Sequence, residues 1–162
     1  MRNLAQIKII IQSVFILATG ALVCIGFAPL AEAVSPPPDG GYPGGNTAEG
    51  QNALQALTTG GYNTAAGWYS LWSVTDGSLN TAIGAGALVL NAGGGNTAVG
   101  AAALLLNTSG SSNVAVGSGA LLYNDTGFNN NAFGSGALYN NTDGFENTAV
   151  GASALFYNTT GV

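Results

Sequence analysis

An all-β fold, a parallel β-solenoid (β-roll) of seven 16–17-residue coils, is what the sequence predicts, and three observations predict it. Asparagines at Asn46, Asn63, Asn80, Asn96, Asn113, Asn130 and Asn147 open seven similar units, spaced 17, 17, 16, 17, 17 and 17 residues apart. A unit this short cannot bury a core alone and must stack on its neighbours. Counted from its asparagine, every unit has alanine at position three, glycine at position five and leucine at position nine. The composition agrees: 47% of residues are hydrophobic and 6% charged, against roughly a quarter charged in an ordinary globular domain. Disordered chains combine low hydrophobicity with high net charge, so this chain is expected to fold.

Residues 1–33 have the pattern of a secretory signal peptide. Arg2 and Lys8 form its positive end, Ile9 to Leu30 is almost wholly apolar, and Ala31-Glu32-Ala33 fits a small-x-small cleavage site. Cleavage after Ala33 and a secreted, extracellular or cell-surface location are the expectation. The alternative is an uncleaved anchor, since the apolar run is long enough to cross a bilayer. Any membrane contact would then run through this segment alone. A lipoprotein signal fits less well, because the bulky Val23 directly precedes Cys24.

Removal of residues 1–33 takes away both basic residues and the only cysteine, leaving six carboxylates and a formal charge of −6. With no Lys or Arg to neutralise phosphates, nucleic acid is excluded as a partner. With no cysteine, no disulfide holds the fold. Stability must come from backbone ladders and packing. Residues 34–45, V-S-P-P-P-D-G-G-Y-P-G-G, carry polyproline and turn chemistry without a period and are read as a linker.

The solenoid is assigned to 46–162. Its repeated small residues, Ala48 to Ala149 at position three and Gly50 to Gly151 at position five, imply close approach of another backbone. Leu54, Leu71, Leu88, Leu104, Leu121, Leu138 and Leu155 imply a continuous apolar stack. Around position fifteen, a second glycine in T-S-G, D-T-G and T-T-G contexts marks a turn, where it relieves a left-handed or crowded backbone. The first five residues of each unit suit a short strand, with threonine and the β-branched residue on one face and alanine and glycine on the other. The A-L-L-L stretch from Ala103 has no usable alternation, so it reads either as a second strand or as one helical turn. Seven coils at about 4.8 Å give a rod near 34 Å long.

Position four carries Ile83, Val99, Val116, Phe133 and Val150 in the later coils, so both faces of the strand are apolar or small. A parallel strand of that kind is normally covered on both sides. One side can fill the coil, and the other is expected to meet a second chain. Glu49 and Ala66 at this position in the first two coils suit a frayed cap. The chain stops at Thr160-Gly161-Val162 inside the seventh coil, and an open strand edge pairs readily. That predicts end-to-end filaments, or a piece of a longer protein.

The strands Asn80 to Gly84, Asn96 to Gly100 and Asn147 to Gly151, joined by A-L-x-x-N-T-x-G, resemble the head and stalk repeats of trimeric autotransporter adhesins and related bacterial and phage tail-fibre proteins. The resemblance spans 46–162, with a unit longer than the adhesin head repeat. It implies a trimer of left-handed parallel β-rolls that projects from a cell or virion and adheres, to a host or surface glycan or protein.

The residues offer little for catalysis. There is no His, and after residue 33 no Cys or Lys, while the six carboxylates fall at different repeat positions. No nucleophile with its base, acid/base pair or metal cage is suggested, so no enzyme, cofactor or metal is expected. Gly84-Ala85-Gly86, Gly117-Ser118-Gly119 and Gly134-Ser135-Gly136 lack the rest of a nucleotide fingerprint. Asp76, Asp125 and Asp143 do not recur at the spacing of calcium-binding β-rolls. The aligned asparagines read as an amide ladder along the rod, or as a polar surface for glycans. The threonine rank Thr47, Thr64, Thr81, Thr97 and Thr148 suggests an ice-binding face, but Val114 and Asn131 interrupt it. Trp68, Tyr69 and Trp72 are expected to close the end of the apolar column rather than stack on sugars.

These readings converge on a secreted structural or adhesive protein whose homotrimer forms a fibre or spike segment. The alternatives are an extracellular filament subunit and a monomeric glycan- or ice-binding solenoid.

Overall fold

A computed structural model describes residues 42–162, all within one compact unit. The expectations for the signal segment and for linker residues 34–41 lie outside the described residues.

Seven three-residue strands stack in sequence order into one parallel sheet. They are β1 (Thr47–Glu49), β2 (Thr64–Ala66), β3 (Thr81–Ile83), β4 (Thr97–Val99), β5 (Val114–Val116), β6 (Asn131–Phe133) and β7 (Thr148–Val150). Equivalent repeat positions pair in every step, for example Ala98 with Ala115 and Val99 with Val116. The fold is therefore the expected all-β parallel solenoid. Alternation along the strand sends alanine inward, where Ala65 to Ala132 are fully buried, and turns threonine and the position-four residue outward.

The A-L-L-L segment is neither a second strand nor a helical turn, which corrects both sequence expectations; the described residues contain no helix. Leucine at position nine has φ between 49° and 53° in all seven coils, and position seven is also left-handed, as at Ala102 with φ 56°. These alternations swing successive peptide groups to opposite sides. Gly100 and Ala102 N–H donate back to Ile83 and Ala85 O, while Leu104 and Leu106 N–H donate forward to Ala120 and Leu122 O. A helix would turn those donors onto its own carbonyls and leave neighbouring coils unbonded. Tying each coil to both neighbours outweighs the left-handed strain at leucine, which costs roughly 1–2 kcal/mol per residue.

The core is narrow. Each layer holds the position-nine leucine, alanine at position three, a small residue at position eight such as Ala103 or Ser70, and asparagine, with Leu57 and Val74 added in the first two. Space dictates the glycines. A Cβ on Gly117, where φ is +135°, would sit 2.5 Å from the carbonyl of Gly134 in the next coil. At position fifteen the reason is crowding alone: a Cβ on Gly127 would meet Gly144 O at 2.5 Å.

The end of the linker is not a free spacer. Tyr42 bridges Asn46 antiparallel and packs on the core, and Gly44 O accepts Tyr62 N–H at 2.8 Å. Later coils make the same bond, as from Ser112 N to Gly94 O. Gly44 and Gly45 thus occupy the last two positions of a repeat ahead of the first.

Candidate functional site

Two kinds of surface could carry function in such a rod: the interior columns, which set its rigidity, and the outward columns, which meet other molecules. The position-one asparagines, Asn46, Asn63, Asn80, Asn96, Asn113, Asn130 and Asn147, are buried inside the rod. Asn113 shows the pattern. Its backbone N–H and Nδ2 both donate to Asn96 Oδ1, at 3.0 and 3.2 Å, and Nδ2 also donates to Gly127 O at 2.8 Å. Its own Oδ1 accepts from Asn130 N and Nδ2 at 2.9 and 3.2 Å. The amide-ladder reading therefore describes these residues, and burial removes them from contact with a glycan. In the first coil Pro43 O takes the Nδ2 hydrogen that a preceding asparagine would accept, at 2.6 Å.

A second ladder was missed from the sequence. Position twelve holds Asn91, Asn107, Asn124, Asn141 and Asn158, each Nδ2 reaching back to the Oδ1 before it from Asn107 onward, as in Asn124 to Asn107 at 2.7 Å. The two ladders meet at the position-fifteen carbonyl: Gly127 O accepts from Asn113 and from Asn124, at 2.8 and 2.9 Å. Coil three keeps this junction although it is one residue short, because the missing residue falls in the turn between Asn91 and Gly93. No buried side-chain nitrogen or oxygen among the described residues lacks a partner.

The leucine column Leu71 to Leu138 is fully buried, Leu54 nearly so, and Leu155 is half exposed at the last coil. The position-four residues lie on the outer face of the sheet, each in register with the next. Ile83, Val116, Phe133 and Val150 are 45, 36, 42 and 73% exposed, and Val99 is partly buried. Beside them run Thr81, Thr97, Val114, Asn131 and Thr148 in register. The interruption of the threonine rank is therefore a physical break in the middle of the face.

Trp68 and Trp72 do not close the apolar column, contrary to expectation. They are 57 and 36% exposed, because positions six and ten face outward, and Leu54 continues the column over Leu71. The two rings flank Tyr69, at centroid distances of 4.4 and 5.6 Å, and Trp72 Nε1 donates to Gln55 Oε1 at 2.9 Å. Two of the carboxylates brace surface turns: Thr108 and Thr126 hydroxyls donate to Asp125 and Asp143 one coil on.

Among the described residues, no group of three His, Cys, Asp or Glu side chains could hold a metal ion, and no helix is long and apolar enough to cross a membrane. No family model, curated protein or solved structure matches the chain.

Proposed function

We propose that this chain is a secreted structural or adhesive surface protein whose solenoids associate as a homotrimer to form a segment of a fibre or spike. The observation that carries the reading is the outer face of the sheet. Ile83, Val99, Val116, Phe133 and Val150 form an outward apolar line in one parallel sheet. Parallel sheets are normally covered on both faces, and the coil interior covers only one. A second and third copy of the same chain supply flat apolar faces of equal length and period. The role follows from the material: a rod held by repeated backbone and amide ladders transmits length and stiffness. The amino-terminal signal-like segment supports export.

The test is the absolute mass of the chain by light scattering over a range of concentrations, with and without Val116→Asp. Glu49 occupies the same position in β1, so a carboxylate is compatible with this backbone. A three-chain species that Val116→Asp converts to a folded monomer is the expected result. A clean monomer for the unaltered chain overturns the reading, and rods that grow with concentration replace it with an end-to-end filament.

A further inference from the structure

Away from the sheet, positions ten and eleven of the last three coils build an aromatic clamp. Tyr139 and Phe156 stack face to face, with centroids 4.8 Å apart and planes 5° from parallel. Tyr123 meets Tyr139 edge-on at 5.3 Å and 72°, and Tyr157 meets Phe156 edge-on at 5.0 Å and 71°. The two tyrosines are arms propped against the stack, and they, not the stacked rings, border the open space beside it. The arms occupy position eleven of the fifth and seventh coils, so two coil spacings, roughly 9.6 Å, separate their backbones. In the coil between them the same position is Asn140, and the result is an open notch of about 450 Å³ lined by Tyr123, Asn140, Thr142, Tyr157 and Thr159.

The lining selects a chemistry. Tyr123 and Tyr157 are 43 and 85% exposed and present apolar ring surface with a hydroxyl at the rim. Asn140 Nδ2 donates to Phe156 O at 3.0 Å, which orients the amide at the floor. Its Oδ1 and second N–H remain for a ligand. Thr142, which also lines the notch, donates its hydroxyl hydrogen to Thr159 O at 3.1 Å, and its oxygen keeps the capacity to accept. A pyranose fits this set, having flat C–H faces for rings and hydroxyls for amide and hydroxyl partners. A purely apolar ligand would strip water from the amide without replacing its bonds. Charge narrows the class further. Residues 42–162 contain no Lys, Arg or His, and Asp143 directly follows Thr142, so nothing there attracts a sialic acid, sulfate or phosphate.

The geometry points to this notch as a subsite for a neutral pyranose of a surface glycan. The inference rests on the reading of the rod as an adhesive surface protein and supplies the ligand class for it. No residue of the sheet lines the notch, so trimerisation through position four leaves it open.

The experiment is saturation-transfer NMR on the full chain with methyl glucoside, galactoside and mannoside, N-acetylglucosamine and, as the anionic comparison, sialyllactose. Tyr123→Ala, Tyr157→Ala and Trp68→Ala are titrated beside the unaltered chain, with circular dichroism to confirm the fold. Binding of at least one neutral sugar, weakened about ten-fold or more by either tyrosine change and unchanged by Trp68→Ala, is expected. Absence of neutral binding, binding that survives both tyrosine changes, or preference for sialyllactose overturns the proposal. Light scattering of the same samples separates the two readings: a trimer that binds no sugar removes only the notch, and a monomer that binds through the tyrosines removes only the trimer.

Discussion

Replacing Asn113 by alanine removes an amide whose four side-chain bonds can be followed one by one. Gly127 O keeps its bond from Asn124, Asn96 Oδ1 keeps the Asn113 backbone N–H, and Asn130 Nδ2 keeps Gly144 O. Only the buried Asn130 N–H is left without any partner, because Asn113 Oδ1 was its acceptor. An orphaned buried donor costs about 1–3 kcal/mol, and the space left by the amide adds to it, so the expected loss is about 3 kcal/mol. Asn124→Ala is the internal comparison. It strands Asn107 Oδ1, a side-chain acceptor on an amide whose Nδ2 keeps its bonds to Asn91 Oδ1 and Gly110 O, while Asn141 Nδ2 and Gly127 O retain partners and no backbone donor is orphaned. A loss of about 1–2 kcal/mol is expected there. Urea unfolding at fixed protein concentration measures both, and amide exchange at residue 130 reads the broken bond locally. Equal losses for the two variants, or a loss below about 0.5 kcal/mol for Asn113→Ala, would refute the premise that an orphaned backbone donor sets the cost.

Three further changes test other parts of the fold. Gly117→Ala drives a Cβ into the Gly134 carbonyl and should prevent folding or cost several kcal/mol, whereas Gly86→Ala meets only ordinary contacts at 3.5 Å, in a conformation that Ala102 already adopts; thermal melts should separate them by at least about 2 kcal/mol. Leu121→Ile keeps the volume but places a β-branched residue at φ 51°, so it should destabilise more than Leu121→Met, against the usual limit of about 1.5 kcal/mol for such swaps. Asn113→Asp buries a carboxyl with no cation among the described residues, so its folded pKa rises. Its stability should be fully present below the unfolded value of about 3.9 and be lost as pH climbs through the raised folded value, which urea melts across pH would show.

The period and four of the columns were legible because a chain that repeats a residue seven times reports a repeated environment. Asn, Ala, Gly and Leu at positions one, three, five and nine are each required by space or by hydrogen bonding. The second amide ladder was harder to see, since Leu57 and Val74 hold its position in the first two coils and asparagine begins only at Asn91. Its trace was the asparagine of A-L-x-x-N-T-x-G. The left-handed leucines left almost no trace. Leucine has no preference for positive φ, and the one hint was glycine at the neighbouring position seven in Gly86, Gly119 and Gly136. Trp68 and Trp72 misled because spacing says nothing of direction where backbone handedness alternates. The aromatic clamp joins residues from three coils, so it emerges only once the register is known.

The interior of this rod constrains its inward positions closely and leaves the outward columns free, so the proposed function rests on those outward columns. Position four and the clamp are separate columns, and no residue lines both. Their effects should therefore be independent. Val116→Asp should abolish association without changing sugar affinity per chain, Tyr157→Ala should do the reverse, and the double variant should show both losses unaltered. Distant sites without shared partners usually add to within about 0.5 kcal/mol. A double variant departing from additivity by more than that would mean that association itself completes the notch. The arms of the clamp would then belong to the interface between chains, and the rod would bind its ligand only as an assembly.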